Sequence, residues 1–405
     1  MDQKDLPLKV KMRELFWRIG YSARINIPLR AYVRPSQNKR PNFEEYTDLD
    51  VLGIAVGRDA RVESVIADCK TTGGGSTERM FWLKGVAHFF RSDTAYLVRE
   101  SDPTRAARQL ANRLDISIVT SSDFHTLEEF YPRDSRVQWA ELEKYFTLEF
   151  AHRSSANSVG MDRRLNKLVE FCKYDFWGYE NYRVLTQIGA HLREAAPALS
   201  IDNPAHISLF LDCTWLFAVS LCHALEYVRR THIADIKESL SEYVFGGQIG
   251  LREKQLVAKQ MERFGASIDN TFDYDIYPPG FALIGELIAR LARRPNSVNN
   301  ILRYAELVHC ASILRASLNL KHVFDVLFDE MAAKLLGDIA GALVTIGRLD
   351  SRFRERALQL ISGEYALRSG HATVSLPPSE NKVSQLALGE EQRDAIAPEL
   401  PKLVE

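Results

Sequence analysis

The chain has 405 residues, of which 26% are charged and 46% hydrophobic, a globular composition that argues against wholesale disorder. Lys and Arg number 52 against 53 Asp and Glu, a formal net charge of -1, so no chain-wide field directs the molecule to nucleic acid or membrane. Five scattered cysteines (Cys69, Cys172, Cys213, Cys222, Cys310) form no Cys-x-x-Cys pair, which argues against a zinc knuckle or a disulfide framework.

Residues 7–20 place Leu8, Met12, Leu15 and Ile19 at helical spacing, with Gly20 as a stop. Residues 25–33 (INIPLRAYV) read as a strand whose Pro28 belongs near a sheet edge. Two strands, YTDLDVLGIAV and RVESVIADCKTT, flank a tight turn at Gly57-Arg58-Asp59-Ala60. A glycine run then leads into a helix (TERMFWLKGVAHFF), a strand at 94–100, a helix behind Pro103, and a strand at 116–120. The order αβββαβαβ predicts a mixed α/β domain over residues 1–150.

From about 161 to 370 the strand signal disappears. Helical runs are expected at 163–176, 180–195, 205–230, 232–245, 250–264, 280–293, 298–318, 321–347 and 351–368, with no fixed repeat period. The polar segment AHRSSANSVG (151–160) reads as a linker, which makes 161–370 a separate α-helical domain. Residues 371–405 carry four prolines and little apolar periodicity, the pattern of a flexible tail. The most hydrophobic window, between Asp212 and Glu226, is shorter than the roughly 20 apolar residues of a membrane span. It reads as a buried helix, and the N-terminus lacks a signal-peptide pattern. The expectation is a soluble cytoplasmic protein with no membrane partner.

The chemistry concentrates in residues 46–72. A three-residue loop at 58–60, with Gly57 paired to Arg61, sets Val56 opposite Val62 and Leu52 opposite Ile66. The same register sets Asp50 opposite Asp68 and Asp48 opposite Lys70. Side chains alternate across a strand, so these even-numbered positions are expected on one face. Opposed carboxylates destabilise a sheet unless a cation lies between them. Mg2+, a hard ion bound through one or two carboxylates plus water and phosphate oxygens, suits that place. A lysine alongside can orient or deprotonate water and stabilise charge on a phosphate. An ordinary surface hairpin with an Asp48–Lys70 ion pair is the alternative. Both faces are apolar near the turn, however, which makes the hairpin central.

Asp50 in TDLDVLGI, followed after a hairpin by Asp68-Cys69-Lys70 in VIADCKTT, resembles the PD-(D/E)-x-K signature of restriction-endonuclease-like nucleases. The αβββαβ order is similar too, over about residues 7–120. The resemblance implies a metal-dependent nuclease acting on phosphodiester bonds, most naturally in DNA, with Mg2+ or Mn2+ as cofactor. Residue by residue, it implies that Asp50 and Asp68 bind metal, that the Cys69 carbonyl adds a ligand, and that Lys70 is the catalytic lysine. Glu14 matches the acid that many members carry on the first helix, as an extra ligand. It also stands one turn from Arg18, a spacing that suits a plain ion pair. Thr47 and Leu49 stand where a proline often precedes the first acid, and Asp68 stands where Glu is commoner.

The helical part would bind substrate, dimerise the chain or recruit a partner protein, and by analogy such a pairing of domains suits phage defence. A non-catalytic nucleic-acid-binding or assembly subunit on the same scaffold is the other functional class. Residues 1–40 hold ten bases against three acids, which suggests phosphate contacts near the site. Gly73-Gly74-Gly75-Ser76 at a helix start offers backbone donors for phosphate or a simple connector. Lys84 is a helper of the site or a solvated lysine. Glu306-Leu-Val-His309 has the spacing of a di-iron ligand pair but no second copy.

Overall fold

The structure, a computed structural model, describes residues 3–33, 42–71, 75–147, 163–266 and 275–364. Contacts divide the chain into units of residues 1–368 and 369–405, so every described residue belongs to the first. The expected linker 151–160, Gly73 and Gly74, and the tail from 371 lie outside the described residues.

Helix α1 (Leu6–Ile19) starts with a proline in its first turn and ends at Gly20, whose φ of 120° lets its N–H cap the carbonyls of Phe16 and Trp17. Strands β1 (Ser22–Val33), β2 (Asn42–Val56) and β3 (Val62–Lys70) form an antiparallel meander. The turn is the expected one. Gly57 N–H donates to Arg61 O at 2.9 Å, and Ala60 takes a left-handed φ of 62°. The predicted register holds from Val56 opposite Val62 to Val51 opposite Ala67.

Helix α2 (Ser76–Phe90) and helix α3 (Arg105–Arg113) are the crossovers to β4 (Thr94–Arg99) and β5 (Ile116–Thr120), which continue the sheet in parallel. The strand order is β1-β2-β3-β4-β5, which puts Pro28 on an end strand as expected. Two short helices absent from the sequence reading follow, α4 (Ser121–Phe130) and α5 (Trp139–Phe146).

On one face of the sheet, Leu8, Met12, Leu15 and Phe16 of α1 pack with Val51, Val65, Ala67 and Cys69. On the other, Leu52, Ile54, Ile66 and Leu97 join Met80, Leu83 and Ala87 of α2 in a core that continues into the helical region.

That region comprises α6 (Arg163–Glu170) with a π-helical turn (Phe171–Asp175), α7 (Asn181–Ala195), α8 (Pro204–Thr231), α9 (Ile236–Val244), α10 (Gln248–Ala266), α11 (Phe281–Ala292), α12 (Pro295–Leu314), α13 (Leu320–Phe324), α14 (Glu330–Gly347) and α15 (Arg352–Ser362). The run expected at 321–347 is two helices. Asp325 at a φ of 43° ends the first segment, and the Asp329 side chain caps the next by accepting from Ala332 N–H. Helix α8 is long and apolar enough to cross a membrane, but 94% of its most hydrophobic window is buried inside the protein.

The separation expected near residue 150 is not where the chain divides. Two arginines of the sheet region reach carboxylates of the helical region, with all four side chains buried. Arg24 donates to Asp212 and to Glu306, both at 2.7 Å, and its guanidinium lies 3.6 Å from the Trp215 ring centroid. Arg13 donates to the other Glu306 oxygen at 3.1 Å. Charges buried this deeply must be paired, and here each partner comes from a different part of the chain. The Glu306/His309 pair therefore clasps arginines. Arg24 also donates to His309 Nδ1 at 3.3 Å, and burial, followed by the Arg24 charge, pushes that imidazole down to about 3.

Candidate active site at the end of the central hairpin

The predicted acids lie where the regular ladder stops. Asp50 is 4% exposed and Asp68 3%. In β1, Asn26 adopts a left-handed φ of 57°, a conformation asparagine tolerates, and interrupts the pairing opposite Asp50. On the other side, the Asp50 carboxylate replaces a ladder partner by accepting from Cys69 N–H at 2.7 Å.

Asp50 and Asp68, expected opposite one another, lie just beyond the paired residues of β2 and β3, and each holds a cation of the protein. Asp50 turns to α1, where Lys9 Nζ lies 2.6 Å from Oδ1 and also donates to Asn26 Oδ1 at 2.6 Å. Asp68 turns to α2 and receives both arms of Arg79, Nε to Oδ2 at 2.7 Å and Nη2 to Oδ1. Two like charges on neighbouring strands thus each receive a protein cation, one from α1 and one from α2, which offsets their mutual repulsion. They still sense each other. Burial, and then the Asp50 charge, raise the Asp68 carboxyl above its ordinary range despite Arg79.

Lys70 also has an internal partner, Asp5, at 3.2 Å. Burial alone would lower the Lys70 ammonium, but Asp50, Asp5 and Asp68 outweigh it and hold the group above its usual range. Asp5 is itself fixed by Thr71, whose N–H and hydroxyl both donate to it at 2.8 Å. The expected Asp48–Lys70 pair is replaced by Lys70–Asp5. Asp48 instead contributes to the field around Arg79. The cluster therefore pairs three acids (Asp5, Asp50, Asp68) with three bases (Lys9, Lys70, Arg79), with Asp48 acting on Arg79 from nearby and buried Arg99 beside Lys70 in the ladder. Its acids are buried, whereas the Lys70 and Arg79 side chains are each 33% exposed.

Glu14 stands elsewhere. It accepts from Arg18 one turn on, at 2.5 Å, and from Arg133 at 2.9 Å. Burial works against its charge, but Arg133 and Arg18 hold its carboxyl below the ordinary range. Of its two readings, the ion pair with Arg18 is the one the structure forms. Lys84 is half-buried, with its ammonium 3.8 Å from Asp115. The Cys69 side chain is fully buried, and burial pushes its thiol far above the range in which it ionises, so only its backbone is available to a cation.

Half of the ten N-terminal bases are paired within the protein, while Lys4 and Lys11 are exposed. Lys9, Arg13, Arg18, Arg24 and Arg30 all pair with carboxylates, Arg30 with Asp175 at 2.8 Å and Glu170 at 3.1 Å. Arg34, Lys39 and Arg40 lie outside the described residues.

Three members of the cluster, Asp5, Lys9 and Arg79, were not singled out from the sequence. Lys9 carried a usable signal. It and Arg13 stand one turn apart beside the apolar stripe of α1, where a cation without a buried partner would be costly. Arg79 had none, since a basic residue in the first turn of a helix is commonplace.

Among the described residues, no group of three or more His, Cys, Asp or Glu side chains is placed to hold a metal ion. The oxygen donors present, the Asp50 and Asp68 carboxylates with the Cys69 carbonyl, nevertheless suit a hard cation that takes its remaining ligands from water and phosphate. Each carboxylate oxygen keeps acceptor capacity beyond its present hydrogen bond. The donor set fits Mg2+, on the condition that added positive charge is offset. Comparison with protein-family models, curated proteins and solved structures finds no match to this chain.

Proposed function

We propose that this protein is a Mg2+-dependent nuclease that hydrolyses phosphodiester bonds in DNA, with Mn2+ as an alternative metal. The observation that carries the reading is the meeting of Asp50, Asp68 and Lys70 at one end of the central hairpin, in an αβββαβ framework resembling that of the restriction-endonuclease-like nucleases. Asp50, Asp68 and the Cys69 carbonyl would hold the metal. When bound, such an ion polarises a phosphoryl oxygen and lowers the pKa of a coordinated water. Lys70, partly exposed and steadied by Asp5, supplies a cationic donor that can orient the water or meet charge developing on the phosphate. The helical region supports the sheet through Arg13 and Arg24, and serves substrate binding, dimerisation or a partner protein through its outer surface.

The test is cleavage of plasmid and single-stranded DNA by purified protein with and without Mg2+. Asp68→Ala and Lys70→Ala should each lower the rate by at least about 100-fold, the scale on which a positioned catalytic group contributes. Wild-type activity retained by both variants would refute the assignment.

A second reading has its own observation. The three acids already have three internal counterions, so the cluster is electrostatically complete without metal. That suits a non-catalytic nucleic-acid-binding or assembly subunit, which would bind DNA equally well with and without Mg2+ and cleave none.

A further inference from the structure

We propose that Arg79 is a phosphate-responsive latch on Asp68, which admits the metal only when a nucleic-acid backbone draws the guanidinium away; this rests on the reading of Asp68 as a metal ligand. Arg79 grips Asp68 with two arms, so a cation would compete with the guanidinium at both carboxylate oxygens. The two partners differ sharply in exposure, 3% for the Asp68 side chain against 33% for that of Arg79, so the anion lies inside and the cation borders solvent, where a phosphate can reach it. Its guanidinium lies 3.7 Å from the centroid of the Trp82 ring, one turn along α2. That ring is a platform over which the planar group can slide outward without losing its stacking partner.

Charge gives the direction of the switch. Each of the three acids already faces a base, so a divalent cation entering the closed cluster would add two positive charges beside Lys9, Lys70 and Arg79. Transfer of Arg79 from Asp68 to a phosphate removes one of those charges from the carboxylates and brings a negative group to the entrance. The exchange conserves hydrogen bonding, because the guanidinium fork fits a phosphate as it fits a carboxylate. Metal and nucleic acid therefore favour one another, and the coupling is reciprocal. Free in solution, the protein would hold its metal weakly. Lysine in place of Arg79 could neutralise Asp68 but could not make the bidentate exchange.

Mn2+ binding followed by electron paramagnetic resonance tests the latch without recourse to turnover. The ligand partner is a 20-base-pair DNA duplex with phosphorothioate linkages that resist hydrolysis. For the wild type, the duplex should tighten Mn2+ binding by about 5-fold or more, the lower end of ordinary allosteric coupling. Arg79→Gln should bind Mn2+ more tightly than the wild type without DNA, by a similar factor, and should lose most of the duplex effect. Equal Mn2+ affinity in both proteins, unmoved by the duplex, would overturn the latch while leaving the metal site standing. Absence of Mn2+ binding in both proteins, or wild-type binding by Asp68→Ala, would overturn the metal reading and the latch together.

Discussion

Glu306→Gln removes the charge that two arginines share and keeps the side chain's shape. In the native protein, Glu306 accepts from Arg13 at 3.1 Å and from Arg24 at 2.7 Å, and Asp212 accepts from Arg24 at 2.7 Å. All four side chains are at most 4% exposed. Two guanidinium groups balance two carboxylates, so the substitution leaves one positive charge buried and uncompensated. The glutamine oxygen can still accept one hydrogen bond, but its NH2 group faces the other arginine. Breaking a buried pair in this way costs about 3–5 kcal/mol, a large part of the roughly 5–15 kcal/mol that holds a typical protein folded. The assay is urea unfolding followed by tryptophan fluorescence and far-ultraviolet circular dichroism. Both signals should move together to lower urea, because the network ties the sheet to α8 and α12. Arg13→Met combined with Glu306→Gln should recover much of the loss, since one remaining arginine then faces Asp212 alone and no surplus charge stays buried. A loss below about 1 kcal/mol, or an unfolding curve in which the two signals separate, would refute the view of one cooperative unit.

The excised segment 163–364 should fail to fold when expressed alone, as judged by circular dichroism, because it exposes the Trp215 and Leu302 surfaces and strands Asp212 and Glu306; a cooperative melt would contradict this. His309 predicts a pH dependence. Its folded value of about 3 lies below the ordinary 6.5, so the unfolded chain binds more protons between those limits and stability falls as pH drops from about 6.5. The contribution at pH 5 is about 2 kcal/mol, and His309→Gln should lose correspondingly less stability than the wild type between pH 7 and pH 5; equal losses would exclude His309 as the source. Gly189→Ala should destabilise by about 1–3 kcal/mol, because the added methyl would stand 2.5 Å from Ile346 Cγ2 in a packed helix contact. An unchanged melting temperature would show that α7 and α14 can part at no cost.

The local geometry was the legible part. The turn at 57–61, its register and the strands around it follow from alternation and turn chemistry within one stretch of chain, and they stand as expected. Charge was misread wherever its partner was remote. Arg13 and Arg24 look like surplus bases in the first 40 residues, yet Glu306 lies 293 and 282 residues away. The same remoteness hid the union of sheet and helices, because a polar stretch at 151–160 is visible in sequence and a buried ion network is not. Asp50 and Asp68 were found as acids, but their internal counterions were missed. Strict alternation cannot anticipate a left-handed Asn26 or the pull of Lys9 and Arg79. Helix α4 escaped notice because Phe124 is its one buried residue, too little to show a period.

The ion network also sets a timetable for biosynthesis. Arg24 leaves the ribosome 282 residues before Glu306, which at about 5–20 residues per second is an interval of roughly 14–56 s. During that interval Asp212 reaches the growing chain first, 188 residues after Arg24, and the carboxylate that Arg13 and Arg24 share comes only at its end. The ion network that joins the sheet to α12 is therefore completed only with the last third of the polypeptide, long after the partners of Asp50 and Asp68 have been made. A product terminated before Glu306 would therefore carry every residue of the candidate site but leave Arg13 without the carboxylate it pairs with.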